Sequence, residues 1–207
     1  MVHSRKVSLC SLFIIGALAG CSHGPSALAP PRINPNAGQA AIEKYDANGD
    51  GSIDGDELKK VPALKTSMAR ADKNRDGKIT AEEIDERIAA WKKSGLAIMR
   101  VTAVVRQNGQ PLGDAAVTFV PEEFLGDVVK PATGVTDATG SAVMQISSAP
   151  DERGVQLGYY RIRISKKGAN GQELIPSQYN AETESGVEVT PEDAGMDRVT
   201  IDIRPTK

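Results

Sequence analysis

Two stretches decide how this chain is read: Asp46-Ala47-Asn48-Gly49-Asp50-Gly51-Ser52-Ile53-Asp54-Gly55-Asp56-Glu57 and Asp72-Lys73-Asn74-Arg75-Asp76-Gly77-Lys78-Ile79-Thr80-Ala81-Glu82-Glu83. Both put side-chain oxygens first, third and fifth, from Asp46, Asn48 and Asp50 and from Asp72, Asn74 and Asp76. A glycine stands sixth in each, Gly51 and Gly77, where a loop closing round an ion turns sharply and a Cβ would obstruct it. The seventh residue, Ser52 or Lys78, offers its backbone carbonyl, so the Lys78 side chain is free to point away. The ninth, Asp54 or Thr80, suits a donor acting through water, and the twelfth, Glu57 or Glu83, is a bidentate carboxylate. Donor sets of this kind supply the 6–8 oxygens that a hard cation such as calcium takes, and two in tandem predict two bound Ca2+ ions.

The flanks fit helices. Ala41, Ile42 and Tyr45 share one face before the first loop, Leu64, Met68 and Ala71 follow it, and Ile84, Ile88 and Trp91 follow the second. Pro62 suits a helix start or the end of the preceding helix, and Gly95 a helix stop. The segment 37–95 therefore resembles an EF-hand pair, in which Ile53 and Ile79, at the eighth positions, bring the loops together. It also resembles dockerin modules in having two calcium loops close together, but those carry aspartate at the twelfth position. Here both are glutamate, which argues against cohesin binding. A calmodulin-like sensor needs a methionine-rich groove, and Met68 is the one methionine in the pair. The loops differ: the first brings four acidic ligands, the second three, with Lys73 and Arg75 between them. Adjacent cations oppose calcium, so the first loop should bind more tightly.

The chain begins with an export pattern. Arg5 and Lys6 precede an apolar run at 7–18, and Leu18-Ala19-Gly20-Cys21 follows. This order resembles a bacterial lipoprotein signal peptide. The resemblance implies removal of residues 1–20, a lipid on Cys21 as membrane partner, and exported, envelope-anchored localisation. Ser22 after that cysteine favours the outer membrane, with the protein periplasmic or surface-facing. Cys10 lies in the discarded run, so no disulfide is expected. Residues 21–36 contain Pro25, Pro30, Pro31 and Pro35 and read as an extended tether. Outside the cytoplasm EF-hand-type modules bind at ~10⁻⁴–10⁻³ M and stay occupied, which favours a structural role over sensing.

From residue 96 the apolar period changes to two. Met99, Val101, Ala103 and Val105 alternate with their neighbours, and Asn108-Gly109 signals a turn. Further strands are expected at 115–120, 142–146, 160–164, 187–189 and 199–203, a pattern fitting a seven-stranded antiparallel β-sandwich over 96–207. The order of Asn108-Gly109-Gln110-Pro111-Leu112, Ala116-Val117-Thr118-Phe119-Val120-Pro121, Thr136-Asp137-Ala138-Thr139-Gly140, Tyr160-Arg161-Ile162-Arg163-Ile164-Ser165-Lys166 and Leu174-Ile175-Pro176-Ser177-Gln178-Tyr179-Asn180 resembles carboxypeptidase regulatory-like, transthyretin-like domains. That resemblance implies a sandwich without catalysis of its own. The expected fold class is thus α+β multidomain.

Composition narrows the function. The 207 residues hold two histidines, His3 in the leader and His23 in the tether, which leaves no histidine base for Ser147, Ser148 or Ser177. No enzyme is expected. Glu122, Glu123 and Asp127 read as a solvated acidic loop. With 25 basic against 27 acidic residues and no basic stripe, nucleic acid is not an expected partner. Loss of Arg5 and Lys6 with the leader leaves 23 basic residues and a net charge of −4, which two calcium ions offset. Eight aromatic residues suggest no single large core. The expectation is an envelope-anchored calcium-binding protein with a structural or interaction role. Its partners would be envelope proteins or polysaccharide. The alternative is a calcium-dependent adhesion or carbohydrate-binding module that uses the sandwich.

Overall fold

The computed structural model describes Met1 and residues 30–149, 153–192 and 198–204. The leader, Cys21 and the tether up to residue 29 lie outside the described residues. Three α-helices occupy the N-terminal part: α1 (Ala37–Tyr45), α2 (Pro62–Ala71) and α3 (Ala81–Ser94). Pro62 opens α2, where its missing N–H costs nothing. Thr80 caps α3 in a reciprocal box with Glu83, and Gly95 closes it in the left-handed conformation. Between the helices, the loops pair through β1 (Ser52–Ile53) and β2 (Ile79–Thr80), which set Ile53 opposite Ile79. No helix among the described residues is long and apolar enough to cross a membrane.

The rest is β-structure. Its strands are β3 (Ile98–Met99), β4 (Thr102–Gln107), β5 (Gln110–Pro111), β6 (Ala116–Pro121), β7 (Ala132–Val135), β8 (Ser141–Val143), β9 (Gln145–Ile146), β10 (Val155–Gln156), β11 (Gly158–Ser165), β12 (Gly186–Val189) and β13 (Arg198–Ile203). One sheet runs β12-β11-β6-β7-β9, and another runs β13-β4-β5 with β8 also on β4. Several details depart from the sequence reading, beginning with the strand number: among the described residues the two sheets hold nine strands, not seven. The segment expected as one strand at 142–146 is split, with β8 serving one sheet and β9 the other. The sheets are also not wholly antiparallel, because β13 pairs parallel to β4, with Val199 opposite Ala103. Strand β7 was not expected; Pro131 precedes it and Gly134 lies within it, and both residues weaken a strand signal.

The expectation of no single large core is corrected. Helices and sheets bury one continuous apolar cluster that includes Ala41, Leu64, Ile84 and Trp91 from the helices and Phe119, Tyr160, Ile162 and Val189 from the strands. Four aromatics concentrate at the junction. Tyr45 meets Phe124 edge-on at 6.4 Å, Phe124 lies 6.0 Å from Tyr159, and Trp91 stands edge-on to Tyr159 at 4.9 Å. Such pairs contribute about 0.5–1.5 kcal/mol each beyond area burial. The end of the proline-rich segment joins this packing instead of staying extended and free. Ile33 is buried, and Asn34 donates from its backbone N to Leu125 O and from Nδ2 to Phe124 O.

Candidate metal centre and its anchor

Each loop is shaped by its own ligand residues. In the first, Asp46 accepts from the amides of Gly49 at 2.6 Å and Gly51 at 2.9 Å, and Asn48 Oδ1 accepts from Asp50 N at 2.8 Å. Glu57, 7% exposed, reaches back to accept from the amides of Ala47, Asn48 and Asp54. The second loop repeats this arrangement. Asp72 accepts from the amides of Arg75 and Gly77, Asn74 Oδ1 from Asp76 N, and Glu83 from the amides of Lys73 and Thr80. Gly51 and Gly77 sit at φ 85° and 86°, the left-handed turn that their sixth positions demand.

At the fourth position both loops again turn left-handed. The first uses Gly49, at φ 76°, whereas the second forces Arg75 to φ 61°. A non-glycine residue there costs roughly 1–2 kcal/mol, which adds a backbone reason for the first loop to close more readily.

Ser52, Glu57, Asp72 and Glu83 are buried, Asp46, Asp54, Lys78 and Thr80 are half-buried, and Asn48, Asp50, Asn74 and Asp76 are exposed. No three carboxylates, imidazoles or thiols among the described residues converge into a tight cluster. An EF-hand loop gathers its carboxylates around the ion itself, so they need not be clustered before it enters. Its oxygens include the amides of Asn48 and Asn74 and the backbone carbonyls of Ser52 and Lys78. The donor chemistry, the glycine conformation and the position of both buried glutamates across their loops fit a calcium ion.

Lys78 does not point away. Its Nζ stands 2.7 Å from Asp50 Oδ2 and 2.9 Å from Asp54 Oδ2, both in the first loop. The ammonium, helped by the Ser52 hydroxyl, holds the Asp50 carboxyl down at about 2. The cause is register: with Ile53 opposite Ile79, the next cross-strand pair is Asp54 and Lys78. The pairing of the eighth positions could have given this contact from sequence.

A family model for the EF hand matches residues 39–62 and 64–86. Residues 39–86 carry two EF-hand motifs. These motifs indicate calcium binding. No curated protein and no solved structure matches the chain.

The motifs are clamped to the β-sheet by residues that sequence reasoning missed. Glu188 on β12 is buried, and its side chain is wholly enclosed. Its Oε1 accepts from Arg87 Nε at 2.5 Å and Trp91 Nε1 at 3.0 Å, both on α3, and its Oε2 from Arg70 Nε at 2.9 Å on α2. Arg87 also donates to Thr190 and Glu192. Gly186, at the start of β12, permits the close approach of α2, because a Cβ there would lie 2.2 Å from Ala63 N.

A second polar node sits beside the first loop. Glu122, read from sequence as part of a solvated acidic loop, is 1% exposed. It accepts from Tyr45 Oη at 2.9 Å, and Arg161 Nε lies 3.2 Å from both its oxygens. Burial raises the Glu122 carboxyl pKa against the opposing pull of Arg161. Arg161 also donates to Lys60 O, just after Glu57, so both ends of the first loop are tied to the sheet. Glu123 remains exposed and pairs with Lys44. The signal in sequence was a carboxylate directly after a strand-ending proline, which is too common to single out.

Proposed function

We propose that this protein is an exported lipoprotein whose calcium-filled EF-hand pair stiffens a transthyretin-like, carboxypeptidase regulatory-like β-sandwich held near the membrane. The observation that carries this reading is the Glu188 clamp. One buried carboxylate on β12 receives donors from both helices that leave the calcium loops. Calcium fixes the ends of α2 and α3, and the clamp passes that order to the sheet edge. Two sheets sharing one core with the helices support a sandwich as the functional scaffold.

Residues fit two ions, one in each loop, through Asp46, Asn48, Asp50, Ser52, Asp54 and Glu57 and through Asp72, Asn74, Asp76, Lys78, Thr80 and Glu83. Calcium supplies charge neutralisation and loop closure, not reaction chemistry. The lipid on Cys21 would hold the folded part near the envelope surface, where proteins or polysaccharide are its partners. The test is fractionation of cells expressing the wild type and Cys21→Ala, followed by capture of envelope components in calcium and in chelator. The wild type should be in the membrane fraction and the variant should not, with capture stronger in calcium. Equal partition of the two proteins would contradict the anchor. Calcium-independent capture would contradict the stiffening role.

A further inference from the structure

The first loop holds a cation of its own. Lys78 belongs to the second loop, where its backbone carbonyl is the ligand position and its side chain is not required. That side chain crosses between the paired loops and places Nζ on Asp50 Oδ2 and Asp54 Oδ2, the fifth and ninth positions of the first loop. The other Asp50 oxygen is taken by the Ser52 amide at 3.0 Å and hydroxyl at 2.7 Å. The ammonium therefore sits on the oxygen that the loop has left to offer. The reach is not accidental, because the Ile53–Ile79 register sets Lys78 across from Asp54. The other lysine of the second loop, Lys73, turns outward and pairs with Glu86, which belongs to neither ligand set.

We propose that Lys78 is a tethered competitor of calcium in the first loop. The ammonium neutralises Asp50 and Asp54 while the loop is free of metal and is displaced when calcium enters. The residue thereby sets the calcium threshold of a loop to which it does not belong. The inference rests on calcium entering the first loop. Both contacts are part-exposed, with the Lys78 side chain 43% accessible, so each has the modest strength of a surface pair. Together they lower the affinity of the first loop by about three- to tenfold.

The test combines two measurements on the full folded chain. The amide signals of Gly51 and Gly77, each donated to the first aspartate of its own loop, report the two loops separately in a calcium titration followed by NMR. Lys78→Met should move the Gly51 midpoint to about three- to tenfold lower calcium, a larger shift than at Gly77, whose loop loses a cation but no contact to a ligand carboxylate. Lys73→Met makes the same charge change and should leave the Gly51 midpoint in place. In the wild type, acylation by an amine-reactive reagent, read by mass spectrometry, should modify Lys78 faster in calcium than in chelator, with Lys65 as the unchanged reference. An unmoved Gly51 midpoint in Lys78→Met, an equal shift in Lys73→Met, or Lys78 acylation indifferent to calcium would each overturn the proposal. If Gly51 in the wild type does not respond to calcium at all, the failure lies in the calcium reading of the first loop itself.

Discussion

Replacing Glu188 by alanine tests whether the helices and the sheet are one structural unit. The carboxylate is enclosed, and three donors converge on it: Arg87 Nε at 2.5 Å, Arg70 Nε at 2.9 Å and Trp91 Nε1 at 3.0 Å. Its loss leaves the Arg87 side chain, only 7% exposed, with Thr190 and the more exposed Glu192. Removing one partner of a buried ion pair costs about 3–5 kcal/mol, because the remaining charge keeps its desolvation cost without its counter-charge. For a chain of this size each kcal/mol shifts Tm by about 2–4 °C, so the melt should fall by roughly 6–20 °C. The assay is thermal unfolding by circular dichroism in saturating calcium, with Trp91 emission followed in parallel. Asp56→Ala, which breaks the exposed pair with Lys59, is the control and should leave the melt unchanged. A further variant, Glu188→Leu with Arg87→Met, removes the two most buried charges of the cluster and should recover part of the loss. The reasoning is refuted if Glu188→Ala melts within about 2 °C of the wild type, or if the helical and strand signals melt separately in the wild type.

Three more outcomes are expected. Gly186→Ala should destabilise the fold by about 1–3 kcal/mol, because its Cβ meets backbone atoms of Pro62 and Ala63 that cannot rotate away; urea unfolding checks this. Burial opposes ionisation of Glu173, but the Ser165 hydroxyl, the Lys166 and Ile175 amides and Lys167 together hold its carboxyl down at about 2. Its stabilising contribution is therefore present above the ordinary carboxylate range and lost as pH falls toward about 2. The Tm gap between the wild type and Glu173→Gln should be full at neutral pH and should close on acidification. In calorimetry, Asp46→Ala should abolish the stronger of two calcium-binding steps and Asp72→Ala the weaker, as the four-carboxylate loop with Gly49 at its left-handed fourth position requires.

The two EF-hand motifs were legible in the sequence because their pattern is local. Each motif falls within twelve consecutive residues, and Gly51 and Gly77 announce its turn. Pro62 and Gly95 likewise marked helix ends through short-range dihedral rules, while the Thr80 cap of α3 went unread. What else escaped was long-range. Glu188 looked like one of many charges on a strand, and only the fold brings Arg70 and Arg87, about a hundred residues away in sequence, onto it. The parallel pairing of β13 with β4 leaves no local trace, since alternation reports which face is buried and not which neighbour or direction a strand takes. The split of 142–146 between two sheets was hidden for the same reason: Met144 is buried whichever sheet claims the residues around it. Lys78 lies between these cases. Its contact follows from pairing the two loops at Ile53 and Ile79, a register already implied by the motif.

The central claim is that calcium in the loops orders the sheet through the helix clamp. Amide hydrogen exchange of Val187, Glu188 and Val189 on β12, compared in calcium and in chelator, tests it most directly. Stabilisation by a ligand at a hundred times its Kd is about 2.7 kcal/mol, so exchange through opening of the clamped unit should slow by about a hundredfold in calcium. Protection that rises only within residues 46–57 and 72–83, with β12 unchanged, would contradict the account.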